Sequence, residues 1–374
     1  MNPSPQQDDA LVAVSRWLKA GRPQVFRLFG YAGTGKTTLA RKIAEDVDGD
    51  VLFAAFTGKA AQVMRNKGCA NARTIHSLIY RPRGEKAEAE TGEMQPAFSL
   101  NRASSVAKAK LVIIDECSMV DQDLGRDLLS FGTPVLVLGD PGQLPPVTTG
   151  KGGGGFFTEA APDVMLTEVH RQARGNPIIA LAQTVREGGQ PDYGRYGDSR
   201  VIGRDDIDSE QVLAADQVLV GRNRTRQLYN RRIRALKNFD GVLPAPGDKL
   251  VCLRNSTEKG LLNGGLWRVT SLGTKPSPFL TMLVKSEDEG PSGPSAKIRV
   301  LKAMFENGPE AVPWDRRKNS DEFDYGYALT VHKAQGSQWD KLVLFDESFA
   351  FRETRERWLY TAITRAAEQI TIVR

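Results

Sequence analysis

VFRLFGYAGTGKTT, residues 25–38, is the stretch that decides the fold. Residues 25–29 form a mostly apolar run, with Arg27 at its centre, that is typical of a buried strand, and residues 30–37 match the pattern G-x-x-x-x-G-K-T. A helical pattern follows the loop. Glycines let the backbone curl round a phosphate, so that several N–H groups converge on it at the start of a helix. The stretch therefore predicts a strand, a phosphate-binding loop and a helix.

Two side chains of this loop have defined roles in nucleotide chemistry. Lys36 is expected to place its charge between the β- and γ-phosphates, and the hydroxyl of Thr37 is expected to bind Mg²⁺. Glycine backbone groups and neighbouring residues complete the predicted nucleotide contacts, namely Gly30, Gly33, Thr34, Gly35 and Thr38.

A second apolar run, residues 111–114, leads directly into an acidic pair. Asp115 at the end of a strand is expected to hold Mg²⁺ through water. Glu116 is expected to polarise the attacking water as general base. Because this pair occurs in the same chain as the phosphate-binding loop, the sequence predicts an NTPase.

Short apolar runs recur along the chain with helical patterns between them. Besides the two already described, they are Val51–Ala55, Val135–Leu138, Gln217–Val220, Lys341–Phe345 and Ile370–Val373. Such alternation predicts α/β units with parallel sheets, in which ligands bind at the carboxyl ends of the strands. Two clusters of runs, before about residue 165 and after about residue 215, predict two units.

Two regions interrupt this alternation. Residues 81–110 are polar and rich in turn residues, which predicts a small inserted hairpin. Residues 241–324 alternate strand-like runs with Gly and Pro turns, which predicts a small inserted β-barrel with Trp267 in its core.

Composition excludes several classes of protein. Of the 374 residues, 40% are hydrophobic and 26% charged, as in a globular chain, and no apolar run approaches the ~20 residues that cross a bilayer. The N-terminus carries no secretory signal pattern. Cys69, Cys117 and Cys252 are too dispersed for a disulfide framework or a zinc ribbon. We therefore expect a cytoplasmic protein.

The net charge of +6 is local. Residues 217–239 contain no acid and seven bases; without them 44 basic and 45 acidic residues remain, a net charge of −1. The seven are Arg222, Arg224, Arg226, Arg231, Arg232, Arg234 and Lys237. Contact with a polyanion is one interpretation. The other is a solvated helix whose buried face carries Tyr229, Ile233 and Leu236.

Three further residues are candidates for contact with a γ-phosphate. Gln143, in GDPGQLPPV at 139–147, follows a predicted strand and is expected to orient water there, although the segment also suits a proline-rich turn. Arg171 and Arg365 lie in the second unit and are candidates for an arginine finger. If they reach the nucleotide, it sits in a cleft between the units.

Together these motifs resemble superfamily 1B DNA helicases of the RecD-like and Dda-like type. The resemblance is carried by GYAGTGKT (30–37), FTGKAA (56–61), TIHS (74–77), DECSM (115–119), GDPGQLPPV (139–147), HRQ (170–172), TVHKAQGS (330–337) and YTAITR (360–365). Their order and spacing span nearly the whole chain. The resemblance implies two RecA-like domains, with ATP between them, single-stranded DNA across their top and 5′-to-3′ movement.

A domain plan follows from the resemblance. It implies a motor domain 1A at 1–79 and 106–165, a pin hairpin 1B at 80–105, a motor domain 2A at 166–240 and 325–374, and an SH3-like barrel 2B at 241–324.

The resemblance also implies roles for residues. Lys36, Glu116, Gln143, Arg171 and Arg365 would be catalytic, and Thr37 and Asp115 would hold the metal. Gly336 and Gln7 would join the ATP site, Gln7 as the family's adenine-reading glutamine or else as an exposed N-terminal residue. The implied strand-contacting set is Thr57, Lys59, His76, Phe98, Thr330 and His332.

These strand contacts suit a sequence-blind track, because hydroxyls, imidazoles and lysines bond to backbone oxygens without reading base edges. Phe98 could stack on a base or anchor its hairpin. One departure from the family pattern is Gln338, where many relatives carry Glu, which puts a charged contact in doubt.

We therefore expect a Mg-ATP-driven helicase that acts as a monomer on single-stranded DNA and on duplex with a 5′ tail. Two alternatives stay open. The first is an RNA helicase or translocase, because 2′-OH contacts cannot be read from the sequence. The second is a nucleotide-switched module that remodels nucleoprotein without separating strands.

Overall fold

The computed structural model describes residues 3–87, 94–145, 155–168 and 175–374. The α-helices described are α1 (Pro5–Ala20), α2 (Lys36–Glu45), α3 (Gly58–Asn66), α4 (Ile75–Ile79), α5 (Gln122–Leu129), α6 (Pro177–Arg186), α7 (Ser209–Ala214), α8 (Asn223–Leu236), α9 (Ala303–Glu306), α10 (Trp314–Arg317) and α11 (Arg355–Ile363). Within these ranges no helix is both long and apolar enough to cross a membrane.

The described strands include all of the predicted apolar runs, either with the same bounds or extended by a few residues. They are β1 (Val25–Gly30), β2 (Val51–Ala55), β3 (Arg73–Thr74), β4 (Tyr80–Ala87), β5 (Met94–Leu100), β6 (Leu111–Asp115), β7 (Val135–Gly139), β8 (Val164–Leu166), β9 (Gly194–Tyr196), β10 (Ser199–Ile202), β11 (Gln217–Val220), β12 (Lys249–Cys252), β13 (Leu266–Leu272), β14 (Phe279–Ser286), β15 (Ser295–Leu301), β16 (Phe323–Tyr325), β17 (Ala328–Thr330), β18 (Trp339–Phe345) and β19 (Ala366–Val373).

The first α/β unit is built on a six-stranded parallel sheet in the order β3-β2-β6-β7-β1-β8. Alternate residues of β6 enter different apolar clusters: Leu111 and Ile113 pack on one face, and Val112 and Ile114 on the other. Burial on both faces explains why these strands read as continuous apolar runs. Their carboxyl ends share one edge, which brings the loops after β1, β6 and β7 together.

Helix ends in this unit follow from local chemistry. Ser4 caps α1 in a reciprocal capping box with Gln7, and the helix ends at Gly21 with φ of 68°. Gly35 precedes α2 with φ of 77°, a left-handed conformation that glycine adopts without strain. The phosphate-binding loop therefore leads straight into a helix N-terminus.

The second α/β unit carries a six-stranded sheet in the order β17-β11-β18-β19-β10-β9. It is parallel except for the β9–β10 hairpin at its edge, which the sequence did not predict. Helices α6 and α11 pack on this sheet, with Trp358 and Leu181 in the shared apolar cluster.

Both predicted insertions are present as antiparallel structure. β4 and β5 form a two-stranded hairpin. β15-β14-β13-β12-β16 form a five-stranded antiparallel sheet, called here the inserted sheet. Trp267 is 3% exposed in its core, as predicted. Its three-residue strand β16 was not predicted; it pairs with β12 as the chain returns to the second unit.

Helix α8 corrects the interpretation of the basic stretch. Arg226 and Arg234 are buried, where Arg226 pairs with Asp324 and Arg234 forms two 2.9 Å hydrogen bonds to Asp248. Leu236 is 47% exposed, so its predicted place on the buried face was wrong. The helix lies between the second unit and the inserted sheet. The carboxylates of Asp248 and Asp324 offset the free-energy cost of burying the two guanidinium groups. The exposed bases are Arg222, Arg224, Arg231, Arg232 and Lys237.

Candidate nucleotide site and nucleic-acid groove

A cavity of about 350 Å³ lies between the two α/β units, at the carboxyl edge of the first sheet. It brings together most of the predicted nucleotide-site residues: Gly33, Gly35, Lys36, Thr37, Thr38, Asp115, Glu116, Gln143, Gly336 and Arg365. It is also lined by residues that the sequence did not single out for this site, including Ala32, Lys67, Asp140, Thr364 and Gln338. Both units therefore contribute to one site.

The phosphate-binding loop is held by its own backbone. Gly33 and Gly35 have φ of 80° and 77°, where an L side chain would be strained. The ammonium of Lys36 donates to the carbonyl oxygens of Gly30 at 2.6 Å and Tyr31 at 3.1 Å. Lys36 is therefore positioned over the loop that a phosphate would occupy.

Thr37 and Asp115 form the predicted metal pair. The Thr37 hydroxyl donates to Asp115 Oδ2 at 2.8 Å, so the two oxygens meet between the loop and the end of β6. One hydroxyl and one carboxylate fit Mg²⁺, which commonly takes few protein oxygens and completes its shell with phosphate and water. The described ranges hold no group of three or more His, Cys, Asp or Glu side chains suited to a metal. A hydroxyl and a carboxylate would suit a metal whose remaining ligands come from a nucleotide and water.

Glu116 has an unusual backbone. Its φ of 54° is in the left-handed region, which costs a residue other than glycine about 1–3 kcal/mol, and its N–H donates to Asp115 Oδ1 at 2.8 Å. Burial raises the pKa of Glu116, and the Arg365 guanidinium partly opposes that rise. A carboxylate with a raised pKa is suited to accept a proton from water.

Glu116, Gln143 and Arg365 meet across the cleft. With its amide oriented to suit both neighbours, Gln143 donates to Glu116 Oε2 at 3.0 Å and accepts from Arg365 Nη2 at 3.3 Å. Arg365 Nη1 lies 3.9 Å from Glu116 Oε1 and donates to the carbonyl of Ser337 at 3.3 Å. Arg171, the other predicted finger, lies outside the described residues.

Two side chains approach the phosphate-binding loop from outside it. Gln7 is buried, not exposed: its Nε2 donates to the carbonyl of Thr34 at 3.0 Å, and its Oε1 accepts from Ser4 N–H at 3.1 Å. Arg186 of the second unit lies over the ring of Tyr31, with the guanidinium carbon 3.7 Å from the ring centroid. The amide of Gln7 therefore supports the phosphate-binding loop, and Gln7 is not among the residues that line the cavity.

Tyr360 and Thr361 of α11 reach the first unit, which sequence reasoning missed. The Tyr360 hydroxyl donates to Asp140 Oδ2 at 2.6 Å and accepts from Ala32 N–H at 3.1 Å. Thr361 Oγ1 accepts from Leu144 N–H at 2.9 Å. The available signal was the motif YTAITR, of which only the arginine had been singled out.

A second cavity, of about 430 Å³, lies between the two units and the inserted sheet. We call it the strand groove. Of the predicted strand contacts, it is lined by Thr57, Lys59 and His332. The Thr57 hydroxyl also caps α3 by accepting from Ala60 N–H at 3.1 Å. Helix α3 thus presents its N-terminus and a lysine to the groove.

The ammonium of Lys59 is paired with a carboxylate that does not line the groove. Lys59 Nζ lies 2.5 Å from Asp288 Oδ1 of the inserted sheet, and the two side chains are 12% and 8% exposed. Beside them Gln62 donates to Glu289 Oε1 at 2.7 Å. A phosphate that binds Lys59 has to displace Asp288.

The other three residues predicted to contact the DNA strand do not line the groove. Thr330 is buried, and its hydroxyl accepts from Lys333 N–H at 3.4 Å. His76 is exposed on α4, with its ring centroid 6.1 Å from that of Phe56, which lines the groove. Phe98 on the hairpin is 56% exposed.

The surroundings of His332 and His76 determine whether their imidazoles are charged. The ring of His332 packs against that of Phe351 in a tilted arrangement with centroids 5.4 Å apart, and burial lowers the pKa of His332. Partial desolvation lowers the pKa of His76 as well, although its side chain stays partly exposed on α4, with a smaller opposing contribution from Asp121. Both imidazoles are therefore neutral at pH 7 and can donate only uncharged N–H groups to a phosphate.

Comparison with known proteins identifies the family. A model described as an AAA domain matches residues 4–204, and one for a UvrD-like helicase C-terminal domain matches residues 325–373. The ATP-dependent RecD2 DNA helicase of Deinococcus radiodurans is 29% identical over 91% of this chain, and the ATP-dependent DNA helicase dda of Enterobacteria phage T4 is 32% identical over 49%. The chain belongs to the RecD-like and Dda-like superfamily 1B helicases.

This RecD-like chain spans about half the length of these relatives, 46% of RecD2 and 42% of Dda. The structure of a Pif1 helicase from Bacteroides in complex with ADP-AlF3 and ssDNA matches 99% of the chain and 92% of that protein, with a TM-score of 0.61 at 19% identity. The likeness supports the RecA-like α/β fold of the superfamily 1B chain.

Proposed function

We propose that this chain is an ATP-dependent DNA helicase that hydrolyses Mg-ATP in its cleft to move 5′-to-3′ on single-stranded DNA. The observation that carries the proposal is the meeting of Glu116, Gln143 and Arg365 beside the phosphate-binding loop. Since two units supply the set, hydrolysis requires the cleft to be closed, and product release can open it. Both halves belong to one chain, so a monomer is sufficient.

Each side chain has a role in that hydrolysis. Glu116 accepts the proton of the attacking water, and Gln143 orients that water. Arg365 and Lys36 stabilise the charge on the γ-phosphate oxygens. Thr37 and Asp115 would hold Mg²⁺, which neutralises phosphate charge when bound.

The strand groove is the proposed track for DNA. Thr57, Lys59 and His332 line it, and all are donors suited to backbone phosphates. The RecD2 and Dda relatives are named DNA helicases, and the similar Pif1 structure is described with ssDNA. We assign the hairpin as a pin that separates the strands, with Phe98 stacking on a base, and the inserted sheet as an SH3-like domain.

An unwinding assay tests the proposal. With ATP and Mg²⁺, a duplex with a 5′ tail should be separated and one with a 3′ tail should not. Unwinding only from the 3′ tail would refute the direction. Hydrolysis stimulated by single-stranded DNA but no strand separation on any tailed substrate would favour a nucleoprotein remodeller, and stronger stimulation by RNA of the same sequence would favour an RNA translocase.

Two variants test the chemistry. Lys36→Ala should abolish hydrolysis, whereas Lys42→Ala, an exposed lysine on the same helix, should not. Glu116→Gln should retain ATP binding and lose turnover. Retained turnover in Lys36→Ala would remove the nucleotide-site assignment, and equal loss of binding and turnover in Glu116→Gln would make that residue structural.

A further inference from the structure

The hydroxyl of Tyr360 joins three parts of the nucleotide site. Tyr360 lies on α11 in the second unit and is 2% exposed. Its hydroxyl donates to Asp140 Oδ2 at 2.6 Å and accepts from the backbone N–H of Ala32 at 3.1 Å. A residue of one unit therefore bonds both to the phosphate-binding loop and to the loop after β7 of the other.

Asp140 in turn shapes the loop that carries Gln143. Its Oδ1 accepts from Gly142 N–H at 3.0 Å, and its backbone carbonyl accepts from Gln143 N–H at 3.1 Å. The ring of Tyr360 packs so closely on Gly142 that an added Cβ would lie 3.0 Å from its Cε1. Moving Tyr360 would therefore disturb the turn that places the Gln143 amide between Glu116 and Arg365.

Helix α11 connects this contact to the arginine. Tyr360 lies in its last turns, and Arg365 follows two residues after its end. Burial, together with the Asp140 carboxylate, raises the pKa of the Tyr360 hydroxyl well above its usual value, so the group stays a hydrogen-bond donor at neutral pH. A shift of α11 would therefore move the hydroxyl and the guanidinium together.

We infer that Tyr360 is a positioning residue for ATP hydrolysis, which fixes the Ala32 backbone and the Asp140–Gln143 turn when the cleft is closed. The inference rests on the proposed function and deepens it. The hydroxyl takes no part in the chemistry. It aligns the groups that orient water and cradle phosphate, so its loss reduces turnover and leaves nucleotide and DNA binding in place.

Tyr360→Phe tests the inference because it removes one oxygen and keeps the ring. We expect kcat to fall about tenfold or more, with and without single-stranded DNA, since a lost hydrogen bond to a charged group has an effect of this size. KM for ATP and Kd for single-stranded DNA should change by less than about threefold. Asp140→Ala should reproduce the loss, and Tyr360→Phe combined with Asp140→Ala should be no worse than Asp140→Ala alone.

Tyr327→Phe is the matched control. Its hydroxyl also donates to a buried carboxylate, Asp248 Oδ1 at 2.9 Å, and accepts a backbone N–H, from Lys249 at 3.1 Å, but outside the cleft. It should lower the urea midpoint without lowering kcat. An unchanged kcat in Tyr360→Phe, or equal losses of kcat in both variants, would overturn the inference. A wild-type chain that hydrolyses ATP without separating strands would refute the helicase assignment alone, because the kcat comparison does not depend on unwinding.

Discussion

Replacing Asp288 by Asn should strengthen the binding of single-stranded DNA. In the structure Asp288 pairs with the ammonium of Lys59, a residue that lines the strand groove, so a phosphate in the groove has to break this ion pair to reach the lysine. Asp288 Oδ2 also accepts from Leu266 N–H at 3.0 Å. Asn retains an acceptor oxygen for that bond, so the loop keeps its shape while the competing charge is lost.

The size of the effect follows from the burial of the pair. Fully exposed ion pairs contribute about 0.2–1 kcal/mol, and hydrogen bonds to charged groups about 1.5–3 kcal/mol. The Lys59 and Asp288 side chains are 12% and 8% exposed, so the pair lies between these cases. In Asp288→Asn, DNA binding no longer has to overcome about 1–2 kcal/mol of ion-pair free energy. The Kd for single-stranded DNA should therefore be about 5- to 30-fold lower than that of the unmodified chain.

The assay is fluorescence anisotropy with a labelled single strand at several salt concentrations, because phosphate contacts weaken as salt rises. Asp315→Asn is the control, since it removes the same charge from an exposed residue that has no ion pair within the described ranges. Lys59→Met should weaken binding and should cancel the gain of Asp288→Asn. A Kd for Asp288→Asn within about twofold of the Asp315→Asn value would refute the reasoning.

Three other perturbations have defined outcomes. Arg365→Ala should lower ATP turnover by about 10³-fold or more at saturating ATP, and a loss below tenfold would exclude an arginine finger. Asp248→Ala leaves the buried Arg234 guanidinium without its ion-pair partner. It should lower the free energy of unfolding by about 3–5 kcal/mol, which is measured as a lower urea midpoint. Since burial lowers the pKa of His332 and His76, both gain a proton only below about pH 6.5. DNA affinity should be constant above that pH and rise below it, and exchanging both histidines for Gln should remove the rise.

The sequence correctly predicted the features that depend on short segments, namely the apolar strands and the phosphate-binding loop. The runs that became β6 and β7 are apolar throughout and buried on both faces, those of β1 and β2 are mostly so, and the glycines of the phosphate-binding loop match its left-handed backbone. The three-residue strand β16 is too short for periodicity to reveal. Its position is fixed by pairing with β12.

Contacts between residues that are far apart in the chain could not be predicted from the sequence. Periodicity on α8 predicted one buried face, but the helix packs between two bodies, and the buried side chains include Arg226 and Arg234. The pairing of Lys59 with Asp288 and of Tyr360 with Asp140 joins residues more than 200 positions apart. Lys59, Asp140 and Tyr360 lie in recognisable motifs, but no local pattern shows which distant residue each of them meets.

The loop at 335–337 explains how strand binding and hydrolysis can influence each other. Ser337 lines both the nucleotide cavity and the strand groove, and its carbonyl accepts from Arg365. Gly336 lies so close to α3 that a Cβ would be 2.9 Å from that of Ala60 and 3.0 Å from Thr57 Oγ1. A DNA strand that displaces α3 or the inserted sheet must therefore move this loop, and the loop is bonded to Arg365, for which we propose contact with the γ-phosphate. Coupling of this kind needs no long pathway, since one loop forms a wall of both sites.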